Sequence, residues 1–169
     1  CYSTGKNPGK LGVYWWEIVD VANREITIPN SQSFKSPEIW DYLGESGKKW
    51  AVVNMPTTFP PHGGNNGGSM ISGGTTSLTE NYTSPDTLRK EIERLFDYKP
   101  SPELPNEASG SMDEICTLIE SRFTVANWLL QERNLDFLHM TVFLSNKLHH
   151  NYWDGEQTLR GWKIIDDEI

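Results

Sequence analysis

Asp136-Phe137-Leu138-His139-Met140-Thr141-Val142-Phe143-Leu144 runs directly into Ser145-Asn146-Lys147-Leu148-His149-His150-Asn151-Tyr152-Trp153. A short run of apolar, β-branched and aromatic residues is the pattern of a strand buried in a sheet, and residues 137–144 carry it. The polar residues that follow then stand at the strand's C-terminal end. In open parallel α/β sheets that end is where ligands bind. Two adjacent histidines and an amide there are the strongest chemical signal in the chain.

The segments before this strand supply the rest of the architecture. Ser111-Met112-Asp113-Glu114 is a capping-box pattern that opens the longest helix, over residues 112–132. Its apolar positions Ile115, Leu118, Ile119, Phe123, Ala126 and Leu130 recur at helical spacing. Ser84-Pro85-Asp86 starts another helix through about Phe96, amphipathic through Leu88, Ile92, Leu95 and Phe96. Further upstream, residues 36–47 start with Ser36 as N-cap and Pro37 in the first turn and stop at Gly47. That helix feeds the strand Trp50-Ala51-Val52-Val53-Asn54-Met55. Residues 56–79 form a long loop rich in Pro, Gly, Thr, Ser and Asn, within which Met70-Ile71-Ser72 docks back as a short strand, and residues 99–110 form a Pro-rich linker. A loop of that length in a compact domain is functional or disordered. The expected fold class is α/β, a mostly parallel sheet flanked by helices, in a single domain over residues 1–169. Val52, Val53, Val142 and Phe143 are expected on buried central strands, with Ile39 and Trp40 packed against the sheet.

Composition bounds the function. The 169 residues are 36% hydrophobic and 22% charged, ordinary for a globular domain with a sizeable core. A formal charge of −8 argues against general nucleic-acid or anionic-membrane binding, which needs clustered Lys and Arg. Lys6, Lys10, Lys48 and Lys49 make only small basic groupings. There is no run of 18 apolar residues to span a membrane, and no secretory signal is visible. Cys1 and Cys116 lack metal-ligand spacing and are too few for a disulfide scaffold, so both are expected as free thiols in a reducing, cytoplasmic setting. Asn81-Tyr82-Thr83 fits a glycosylation sequon and is read as chance in that setting. A start at Cys1 reads as a piece of a longer protein.

Thr4-Gly5-Lys6-Asn7-Pro8-Gly9-Lys10-Leu11-Gly12 is turn chemistry. It is not a phosphate loop, because three residues rather than four separate Gly5 from Gly9 and Leu11 follows Lys10. His149 and His150 are the leading metal-ligand candidates, and adjacent positions point apart, so one of the two is expected to coordinate. Asn146 lies four residues before His150. A carboxylate at that position suits a divalent cation far better than an amide does. His139 reads as a core or sheet-face residue, and His62 lies in the long loop. Thr57, Thr58, Ser69 and Ser72 have no adjacent base to make them nucleophiles. The acidic tail Asp166-Asp167-Glu168 reads as a solvated end.

Together these segments resemble the type I phosphodiesterase/nucleotide pyrophosphatase group of the alkaline phosphatase superfamily. Residues 4–13 are similar to the turn after that family's nucleophile helix. Ile39-Trp40-Asp41-Tyr42-Leu43 and residues 47–61 are similar to its next helix and strand, and Gly68-Ser69-Met70-Ile71-Ser72-Gly73 to the loop that follows. Residues 136–153 are similar to its strand ending in a Thr-Asp-x-x-x-His-x-x-Trp element. The resemblance runs through nearly the whole chain in register.

The resemblance implies an alkaline-phosphatase-like fold, here incomplete, and a two-metal hydrolase that splits small-molecule phosphate mono- or diesters with zinc or manganese. It puts His150 at a metal-binding histidine and Asn146 where the family has a metal-binding aspartate. Asn54, Thr57 and Thr58 then fall near the rim of the substrate pocket. The family's nucleophile and first metal aspartate would precede Cys1, and its Ser-Asp-His-Gly motif would follow Ile169. The chain is therefore expected to be the central portion of such an enzyme, inactive and metal-free by itself. The alternative is a non-catalytic binding or interaction domain that kept the scaffold without the metal chemistry, which Asn146 favours.

Overall fold

In the computed structural model, which describes residues 1–73, 80–100 and 112–169, turn chemistry sets the first element. Asn7 accepts from the Lys10 amide, Pro8 sits at the helix start and Gly12 ends it at φ 77°, giving helix α1 (Pro8–Leu11). Strands β1 (Ile18–Asp20) and β2 (Glu25–Thr27) form an antiparallel hairpin whose turn is held by the Asn23 amide donating to Asp20 Oδ1 at 3.1 Å. Helix α2 (Ile39–Glu45) follows. Its N-cap is Glu38 and not Ser36, because Asp41 Oδ2 accepts the Glu38 amide at 2.8 Å while Ser36 Oγ turns to the Pro37 carbonyl.

The main sheet is built from β3 (Trp50–Val53), β4 (Gly68–Ile71), β5 (Thr83–Ser84) and β6 (Phe137–Met140), in the order β5-β4-β3-β6. The pairs β3–β4 and β3–β6 are parallel, and β5 joins antiparallel at the far edge. Helices α3 (Asp86–Phe96) and α4 (Met112–Arg133) precede β6, and α5 (Leu144–Tyr152) and α6 (Glu156–Glu168) follow it. The α/β class with a mostly parallel sheet is thus present, with one antiparallel strand making the sheet mixed.

Alternation along β3 explains the layering. Ala51 and Val53 face α3 and α4 in a core with Ile71, Leu88, Ile92, Val125 and Leu129. Trp50 and Val52 face the other way, against Trp40 of α2 and Met70. All four β3 side chains are buried, which is why the strand reads as an unbroken apolar run. Gly68 is required beside Trp50, since a Cβ there would lie 2.1 Å from the indole. A third cluster, with Ile115, Ile119, Phe123, Leu148 and Ile165, binds α4, α5 and α6 together. The loop at 56–79 contains β4 as expected, although residues 74–79 lie outside the described residues, as does all but the start of the linker at 99–110.

Three expectations need correction. The strand from Phe137 is the partly buried edge strand β6 rather than a buried central one, and it ends at Met140, so Val142 and Phe143 are not on a central strand. The Thr141 amide makes the last bond to the Val53 carbonyl, at 2.9 Å. Beyond it β3 has turned away, and the Ser145 and Asn146 amides bond to the Val142 and Phe143 carbonyls to open α5. Val142 packs into the helical cluster and Phe143 is exposed beside Trp16. Ile39 is also exposed, and Trp40 alone of that pair packs on the sheet. On α4, Leu129 and Val125 face the core and Leu130 is exposed. The acidic end belongs to α6, with Asp166 and Asp167 on its exposed face.

Ile71→Ala is expected to lower the unfolding free energy by about 2–5 kcal/mol in urea denaturation, because it empties the centre of the main core. Ile26→Ala, on the exposed face of the hairpin, should change it by less than about 0.5 kcal/mol.

Candidate functional site

Strands β4, β3 and β6 end together, and their C-terminal edge collects most of the residues singled out from the sequence. At the end of β3 the chain turns through Asn54 at φ 56° and, three residues on, Thr57 at φ 66°. A β-branched residue in the left-handed region is strained, and such strain concentrates at functional sites. Asn54 is buried and tied on all sides. Its amide donates to the Ile71 carbonyl (2.8 Å), its Nδ2 reaches the Ser72 carbonyl (3.4 Å), and its Oδ1 accepts from Tyr98 Oη (2.9 Å).

Thr58 is equally enclosed. Its hydroxyl donates to the Met55 carbonyl (2.7 Å) and accepts from the Gly73 amide (3.1 Å), while Ser72 Oγ donates to the Thr58 carbonyl (3.0 Å). Gly73 passes so close that a Cβ would lie 2.2 Å from the Asn54 carbonyl oxygen. Asn54 and Thr58 are therefore buried supports behind the turn, and of the three Thr57 is the one that lines a cavity. That cavity, about 260 Å³, is lined with Thr57 by Leu11, Tyr14, Trp15, Trp16 and Phe34.

Behind the rim lies a buried pair the sequence did not suggest. Tyr98 is hydrogen bonded to Arg122 as well as to Asn54, and burial pushes the Tyr98 phenol up and the Arg122 guanidinium down from their ordinary values. Arg122 also donates to the Pro100 carbonyl at 3.3 Å. Arg122 lies three residues after Ile119 and four before Ala126, on the apolar stripe of α4, so helical spacing is the signal that could have marked it as buried.

The histidines separate. His139 is half-buried on β6, with Nε2 3.2 Å from Thr141 Oγ1 and its ring 5.3 Å from that of Tyr2. His149 accepts from Trp162 Nε1 at 2.9 Å and sits between Trp153 and Trp162. His150 and Asn146 are both exposed on α5, one helical turn apart. Among the described residues, His150 belongs to no group of three His, Cys, Asp or Glu ligand atoms; one such group exists, at Glu38, Asp41 and His62.

That group sits on the α2 side of the sheet. His62 Nε2 lies 3.5 Å from Glu38 Oε2 and 3.9 Å from Asp41 Oδ1, and Trp40 Nε1 approaches it at 3.4 Å. The hydrogen bond with Glu38 is the main reason the imidazole is held above its ordinary pKa, against a smaller opposing effect of burial. A polar cavity of about 490 Å³ opens beside the three side chains.

No protein-family model, no curated protein and no solved structure matches this chain.

Burial holds the His139 imidazole below its ordinary pKa of 6.5. The unfolded chain then binds the proton more readily, so this contribution to stability is complete above pH 6.5 and falls as pH drops through 6.5 towards the folded value. His139→Gln should flatten the acid limb of a stability profile measured by urea unfolding between about pH 5 and pH 7.5. An unchanged slope in the variant contradicts the assignment.

Proposed function

We propose that this chain is the central portion of a metal-dependent phosphoester hydrolase of the phosphodiesterase/nucleotide pyrophosphatase type, with an alkaline-phosphatase-like fold. The observation that carries the reading is the convergence of three parallel strands on one edge, where a strained Asn54–Thr57 turn is laced to Ser72 and Gly73 and borders a cavity. The substrate on this reading is a small phosphate mono- or diester bound over that rim. Asn54 and Thr58 keep the turn rigid, and Thr57 presents its side chain to the bound group. Free thiols at Cys1 and Cys116 support a cytoplasmic setting, and no helix among the described residues is long and apolar enough to cross a membrane.

A zinc or manganese pair supplies such enzymes with an activated nucleophile and charge neutralisation. His150 and Asn146 do not fit that task by themselves. They offer one imidazole and one neutral amide on an open helix face, whereas a catalytic zinc takes three protein ligands. The neutral Asn146 also favours a second reading, in which the domain binds a partner or ligand without catalysis.

Residues 1–169 alone should not hydrolyse bis(4-nitrophenyl) phosphate with zinc or manganese present, whereas a longer product of the same reading frame should. Asn146→Asp in that longer protein should tighten divalent-metal binding by about tenfold or more, and in residues 1–169 hardly at all. Turnover by residues 1–169 above a heat-killed control overturns the central-portion reading. An inactive longer protein favours the binding domain.

A further inference from the structure

We propose that Glu38 Oε2, Asp41 Oδ1 and His62 Nε2 form a divalent-cation site suited to zinc, with the remaining coordination position open to the adjacent cavity. It is separate from the phosphoester rim and does not rest on that reading.

The donor set is mixed, one imidazole nitrogen and two carboxylate oxygens, and all three ligand atoms lie within 4.8 Å of one another. Two zinc bonds of about 2.1 Å meeting at a tetrahedral angle separate their ligand atoms by about 3.4 Å. The observed distances from His62 Nε2, 3.5 Å to Glu38 and 3.9 Å to Asp41, need only small side-chain movements to meet that figure.

The carboxylates are oriented by hydrogen bonds, one from Ser3 and one within the cap of α2. Ser3 Oγ, from outside the group, donates to Glu38 Oε1 at 2.8 Å and so leaves Oε2 towards the histidine. Asp41 Oδ2 is occupied by the Glu38 amide at 2.8 Å, which leaves Oδ1 on the same side. The His62 ring is held by Trp40, whose Nε1 donates to Nε2 at 3.4 Å. Glu38 and Asp41 thus each have one oxygen held by the framework and one turned inwards, the arrangement in which outer partners aim metal ligands, and a cation at His62 Nε2 would displace the 3.4 Å contact from Trp40. Two carboxylates converging where Glu38 is only 12% exposed repel each other, and a dication balances both charges. The fourth position faces a polar cavity that Ser31, Gln32 and Asn66 help to line. An open position of this kind takes water or an oxygen ligand.

Zinc binding to the purified chain is measured by competition with a chromophoric chelator, in a Cys1→Ser background that removes the exposed thiol. One equivalent is expected to bind. His62→Ala, Glu38→Gln and Asp41→Asn, each checked by circular dichroism for an unchanged fold, should each raise the Kd at least tenfold. Asn146→Ala and His150→Ala should leave it unchanged. Cobalt substitution should give the visible spectrum of a tetrahedral or five-coordinate N/O site that disappears in His62→Ala. The proposal is overturned if the background protein binds no zinc stoichiometrically, if the three variants bind as it does, or if His150→Ala is the change that abolishes binding.

Discussion

The pairing of β3 on both sides is the constraint from which the rest of the structure follows. Its backbone is satisfied by β4 and β6 in parallel, with Val53 aligned to Ile71 on one side and Met140 on the other. Its side chains are divided between two faces and buried on both. A strand enclosed in this way needs helices on each face, which α2 on one side and α3 with α4 on the other provide. It also forces its neighbours to end where it ends. Once Asn54 turns away at φ 56°, β6 has no partner beyond Thr141 and the chain coils into α5.

Two sites arise around that strand, and Phe34 lines the cavities of both. On the edge itself, polar groups that would be costly to bury alone satisfy one another: Asn54 with Tyr98 and Ser72, and Thr58 with Gly73 and Met55. Tyr98 connects the rim to Arg122, so a buried cation stands behind the turn. On the α2 side, the same helix that covers Trp50 with Trp40 brings Glu38 and Asp41 to the long loop carrying His62. The sheet thus positions both groups.

Local pattern revealed most of the fold. The apolar run at Trp50–Val53, the Gly-flanked Met70 and Ile71, and helices α3 and α4 lie close to where periodicity put them. The ends of elements were harder to see. Nothing in Thr141-Val142-Phe143 indicates that their pairing partner has departed, since that depends on a turn almost ninety residues earlier. The β1–β2 hairpin carries Val19 and Ile26 outward and has no buried face to give it a clean alternation. Asn54, Thr57 and Thr58 were grouped through the family resemblance and not by any local pattern. Their division into framework and cavity-facing roles came only with the hydrogen bonds. The Glu38–Asp41–His62 group was invisible because its members are joined by folding across a loop, and Tyr98–Arg122 for the same reason.

The central claim is that the C-terminal edge of β3, β4 and β6 receives a phosphoester. Amide chemical-shift mapping with a dialkyl phosphate titrated into the isotopically labelled chain tests it most directly. Saturable shifts confined to residues 54–58, Ser72, Gly73 and Thr141 are the predicted result. Shifts clustered instead on α3, α6 or the β1–β2 hairpin, or no saturable shifts at the rim, would contradict it.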